Sequence, residues 1–174
     1  MNKLINTLGF QAGWWACIAS VDRGLEIEAI IFCVCLISIH LHFSKSPLLE
    51  MKMGVVAMLL GILLDSGLQY FSVIGFYGWA LGPLSPFWLW TLWVMFALTL
   101  NSSLDFLKNQ SLITHAFLGL VFGPVTYYAG AQMGAADLEA SFSHVFSLAV
   151  VWMLAMPFMV LTAQQLSLTP KDNP

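Results

Sequence analysis

Hydrophobic positions dominate the chain, and charged residues divide it into long apolar runs. Between successive Asp, Glu, Lys and Arg residues the uncharged runs are 4–21, 29–44, 53–64, 66–104, 109–136 and 140–170. Within them the apolar residues are continuous, not alternating, which suits helices in lipid and not the strands of a barrel. The run 66–104 is too long for one span, and Gly75, Gly78, Gly82, Pro83 and Pro86 punctuate it with residues that favour turns and end helices. It therefore holds parts of two helices. The pattern predicts six spans, at 4–21, 25–43, 53–74, 87–105, 111–133 and 140–165.

Composition removes the soluble alternative. Of 174 residues, 59% are apolar and 9% charged, against about 25% charged in an ordinary soluble domain. Six spans of about 20 residues leave no room for a separate soluble domain. The expectation is an all-α, polytopic transmembrane helix bundle over 1–166, followed by a short polar tail at 167–174. The formal charge of −3 gives no reason to expect a nucleic-acid partner. Lys3, Lys45, Lys52, Lys108 and Lys171 fall on one side of the predicted topology and only Arg23 on the other, which places both termini in the cytoplasm. The first helix starts like a secretory signal, but Trp14 and Trp15 sit where such a signal tapers to small residues, so it is read as a retained span.

One charge breaks the pattern: Asp65 lies inside a span. Gly54, Gly61, Asp65, Gln69 and Ser72 follow at steps of 7, 4, 4 and 3, one stripe of a helix that should face protein. An ionised carboxylate at a helix centre costs about 2.5–3.5 kcal/mol on insertion scales, so Asp65 needs partners. Two readings stay open, a proton- or ligand-binding carboxylate in a cavity and an interhelical hydrogen bond that fixes packing. The candidate ligand or proton site comprises Asp65, Gln69, Tyr127, Tyr128, His144 and Glu28, with Tyr70 and Thr126 as further neighbours at similar depth.

The predicted fifth helix carries the cleanest stripe: His115, Gly119, Gly123, Thr126, Gly130 and Gly134, at steps of 4, 4, 3, 4 and 4. The pairs Gly119 with Gly123, Gly130 with Gly134, and Gly9 with Gly13 have the spacing that lets helices approach closely. Pro124 and Pro157 each remove a backbone donor inside a helix. Cys17, Cys33 and Cys35 are read as small apolar packing residues. Paired helical histidines, a nucleophile elbow and a phosphate-binding glycine loop are all missing from the sequence. No metal and no cofactor are expected, Glu28, Asp65 and His144 being the only metal-type set on one side.

Taken together, Asn6, Phe10-Gln11, Trp14-Trp15 and Cys17, then Asp65 with Gly67, then Trp88, Trp93 and Phe96-Ala97, then Gly123-Pro124, Tyr127 and Gly130 resemble an uncharacterised bacterial inner-membrane family, the domain of unknown function 2878. The resemblance implies a small multi-pass protein of the bacterial inner membrane with no assigned reaction. It also implies a membrane-lipid context, because members of that family are sometimes encoded near lipid-modifying methyltransferase genes. The leading expectation is a non-catalytic component of membrane-lipid or envelope maintenance whose partners are membrane lipids and a further membrane protein. The alternatives are a small-solute or proton-coupled carrier that uses Asp65, and an intramembrane enzyme.

Overall fold

A computed structural model describes residues 2–168. The fold is all-α: α1 (Lys3–Val21), α2 (Glu26–His42), α3 (Pro47–Tyr70), α4 (Phe87–Leu100), α5 (Leu112–Gln132) and α6 (Phe142–Leu168). A short 3-10 helix (Asp105–Asn109) precedes α5, and two-residue strands β1 (Gly75–Phe76) and β2 (Ala136–Asp137) pair antiparallel across one end. Three helices, α3, α5 and α6, are long and apolar enough to cross a membrane, while α4 is a shorter apolar helix.

Four predicted boundaries move. The third helix starts at Pro47, not 53, because the charges at Glu50 and Lys52 do not end it. Glu50 instead lies on the helix, buried, and proline at the first helical position loses no hydrogen bond that a helix start would have made. It ends at Tyr70, not 74, because Ser72 adopts a left-handed conformation (φ 55°) and Val73 N–H donates to the Leu68 carbonyl at 2.9 Å. The fourth helix stops at Leu100, and a turn at 101–104 leads into the 3-10 helix. The predicted tail at 167–174 begins two residues inside α6, and 169–174 lie outside the described residues.

Packing is strongest along two antiparallel pairs, α5 with α6 and α3 with α4, while α1 joins α2 and α4, and α3 and α6 link the two halves. At the end carrying the 2–3 and 43–46 segments, polar groups knit four segments together. Asn6 Oδ1 accepts from Ser103 N–H (3.2 Å) and Oγ (2.6 Å), and Asn6 Nδ2 donates to His40 Nδ1 (3.3 Å). His40 Nε2 lies 3.6 Å from Glu50 Oε1, whose other oxygen accepts from Asn101 Nδ2 at 3.1 Å. Lys108 Nζ completes the chain on Asn101 Oδ1 at 2.7 Å. Buried polar groups persist where they find partners, and this network, in which His40 Nε2 makes only the 3.6 Å contact with Glu50, fixes the register of α1, α2 and α3 against the 101–109 segment.

The glycine stripes do two different jobs. A Cβ on Gly119 would sit 2.1 Å from the Trp152 carbonyl oxygen, and one on Gly123 would enter the Trp152 side chain at 2.2 Å. These two glycines therefore set the α5–α6 distance. Gly13 faces Met95 and Cys33, and Gly130 faces Ile18. Gly9 and Gly134 depart from the packing expected of them. Gly9 has nothing within 4 Å of its Cβ position and borders an open apolar groove of about 320 Å³ between α1 and α2. Gly134 lies beyond the end of α5 at φ 83°, where Ala135 N–H returns to the Gly130 carbonyl at 3.1 Å. Its role is the left-handed turn that ends the helix.

Candidate functional site

Asp65 is completely buried at the meeting point of three helices. Its Oδ2 accepts a hydrogen bond from Trp93 Nε1 of α4 at 2.7 Å, and its Oδ1 accepts one from the Tyr127 hydroxyl of α5. Glycines make room for the rings around it. A Cβ on Gly61, one turn before Asp65 on α3, would lie 2.2 Å from the Trp93 ring, so the missing side chain is what lets that ring reach the α3 backbone there. Trp152 occupies the corresponding slot over Gly123 and stacks on Trp93, with centroids 5.0 Å apart and planes at 10°. Phe96 and Tyr127 meet Trp152 edge-on at 5.9 and 6.0 Å. Such aromatic contacts add about 0.5–1.5 kcal/mol each beyond the area they bury.

Next to this cluster opens a cavity of about 600 Å³. Trp93, Phe96, Tyr127 and Trp152 form its inner wall, Phe10, Gln11, Trp14 and Trp15 of α1 one side, and Leu118, Phe122, Val125 and Thr126 of α5 the other. Toward the end carrying β1 and β2, α1 comes up against α5 where Ile18 faces Gly130. Gln11, Trp15, Phe122, Val125 and Thr126 are exposed, so the cavity opens sideways between α1 and α5. Its lining is apolar and aromatic, with few polar side chains. Asp65 does not line it: Trp93 and Tyr127, whose rings do, hold both carboxylate oxygens behind the wall.

Of the candidate site residues, the structure brings only Asp65 and Tyr127 together. Gln69 Oε1 accepts from Phe76 N–H at 3.3 Å and so supports the connection after α3. Tyr128 points outward, 46% exposed. His144 stays at the start of α6, its Nδ1 3.1 Å from the Glu139 carbonyl, and Glu28 is exposed near the start of α2. Tyr70 is exposed, and the Thr126 hydroxyl donates to the Phe122 carbonyl at 2.8 Å. Among the described residues no three His, Cys, Asp or Glu side chains form a metal-binding group. Cys17 and Cys33 place their sulfurs 3.5 Å apart in the α1–α2 contact, whereas Cys35 is exposed.

Trp93 is the partner of Asp65 that sequence reasoning missed. The signal was present in its type: an indole N–H inside an apolar helix needs an acceptor, and Asp65 is the one carboxylate far from the borders of a predicted span. Gln11, which enters the sequence analysis only within the Phe10-Gln11 element of the family resemblance, lines the cavity without having stood among the candidate site residues.

A family model described as a protein of unknown function (DUF2878) matches residues 3–158. No curated protein and no solved structure matches the chain. The family match spans nearly all of α1 to α6, including Asp65, Trp93, Tyr127 and Trp152, and the chain belongs to the DUF2878 family, as a helical membrane protein of unassigned activity.

Proposed function

We propose that this protein binds the apolar chain of a membrane lipid and serves membrane-lipid or envelope maintenance as a non-catalytic component of the bacterial inner membrane, with both termini cytoplasmic. One observation carries the reading: the cavity of about 600 Å³ between α1 and α5 is apolar, aromatic and open to the side. Its volume falls in the range of about 300–1,000 Å³ typical of small-molecule sites. In a bilayer such a mouth faces hydrocarbon, where water is not available to fill it, and a lipid chain is the occupant at hand. The polar groups nearby support binding over reaction. Asp65, Trp93 and Tyr127 satisfy one another, whereas acid–base catalysis needs titratable groups within hydrogen-bond reach of a substrate. The same closure leaves the carrier reading without a carboxylate open to a path.

The test is a whole-membrane lipid profile comparing a deletion strain with strains restored by wild type or by Ala129→Trp, which places a ring where a methyl group lines the cavity. The expected result is a lipid class that changes on deletion, returns with wild type and fails to return with Ala129→Trp at equal membrane levels. A profile that deletion leaves unchanged, or that both proteins restore equally, contradicts the proposal.

A further inference from the structure

We infer that Gln11 hydrogen-bonds a ligand oxygen held at mid-membrane depth, and that the ligand is a lipid-soluble quinone. This deepens the lipid-binding reading and rests on it. Gln11 sits within one residue of the midpoint of α1 (Lys3–Val21) and lines the cavity opposite the middle of α5, a helix long enough to cross the membrane. Its side chain is exposed, and among the described residues its amide has no hydrogen-bond partner. One turn away on α1 its exposed neighbours are Leu8, Trp15 and Thr7, whose hydroxyl donates to the Lys3 carbonyl at 3.1 Å, so α1 offers it no free polar partner and in a bilayer hydrocarbon surrounds it. An amide left unpaired there loses the hydrogen bonds that water would supply.

The other polar groups on the wall are committed. Thr126 Oγ1 donates to a backbone carbonyl, and Trp93 Nε1 and the Tyr127 hydroxyl donate to Asp65. The Trp152 indole N–H is buried beside the Tyr127 hydroxyl. Gln11 is thus the group that faces the cavity with both donor and acceptor capacity unused. A glycerolipid carries its esters and phosphate at the bilayer surface, too far out to meet it. A quinone joins an apolar tail to a ring that resides in the hydrocarbon. The Gln11 Nε2–H donates to its carbonyl, Oε1 accepts from the hydroxyl of its reduced form, and the flat ring suits walls built of Trp14, Trp93, Phe96 and Trp152.

The experiment is native mass spectrometry of the full chain released from phosphatidylcholine nanodiscs doped with decyl-benzoquinone or with decylbenzene, which has the same tail and no oxygen. Wild type is expected to carry one quinone adduct, Gln11→Leu about tenfold less, the equivalent of one hydrogen bond, and decylbenzene to bind both proteins equally and weakly. Leu replaces an exposed amide in an apolar setting, so folding is expected to hold, with circular dichroism melting as the control. Equal quinone binding by wild type and Gln11→Leu overturns the inference and leaves lipid binding standing. Binding of neither compound, with no retained lipid, overturns both. A dimer in wild type that Gln11→Leu abolishes also overturns it, because the amide would then pair with a second copy.

Discussion

Helix α5 has one sealed face and one open face. Toward α6, Gly119 and Gly123 bring its backbone against Trp152, and Asp65 ties its Tyr127 to Trp93 of α4. Toward α1 the same helix presents Phe122, Val125 and Thr126 to a cavity. The aromatic rings belong to both sides, since Trp93, Tyr127 and Trp152 close the seam and wall the cavity. A polar residue marks each face. Asp65 has both oxygens bonded and no exposure, while Gln11 is exposed and its amide has no hydrogen-bond partner among the described residues. In lipid, helices gain little from apolar burial against one another and associate through packing and hydrogen bonds. The sealed face has both, and the cavity lies where they stop.

The largest effect is expected from breaking the seal at its hub. Asp65→Leu removes the acceptor of two donors and should cost roughly 1–3 kcal/mol for each one stranded, read as a lower midpoint in thermal unfolding by circular dichroism. Asp65→Asn keeps a carbonyl for one donor and should lose about half as much. Gly119→Ala drives a methyl group into the Trp152 backbone carbonyl, and overpacking of this kind costs about 1–3 kcal/mol. If Gly119→Ala is neutral, α5 and α6 are not sealed as described.

The open face should respond differently. Ala129→Trp is expected to leave the melting midpoint close to wild type while removing bound lipid, a separation that no seam variant should show. The smallest effect belongs to Gly9→Ala, where the new methyl group meets open space. It should change stability by less than about 0.5 kcal/mol, and it gains a little from helix propensity. A large loss would mean that the groove between α1 and α2 is closed in the membrane.

The helices were legible in the sequence because charge is excluded from hydrocarbon, so the charge-free runs trace them. The same rule misplaced the start of α3, since Glu50 is buried with Asn101 as partner, a contact between residues far apart in sequence. The small-residue stripe of α5 was legible as a close-packing face, but not that its partner is Trp152. Asp65 stood out as a lone intramembrane acid, and its need for a partner followed. Which partner did not, because periodicity fixes the face of one helix and says nothing of how six are arranged. The cavity was the least legible feature. It arises from a gap between α1 and α5, and a gap has no residue of its own.

Whether a lipid chain occupies that gap is read from the lipid that the protein retains. Wild type and Ala129→Trp would be extracted into nanodiscs with their native lipid, washed with excess detergent, and their bound lipid counted by mass spectrometry. About one tightly held lipid or isoprenoid molecule is expected per wild-type chain and is expected to be lost from the variant, with equal melting midpoints. Equal retention by both proteins, or none by wild type, would contradict it.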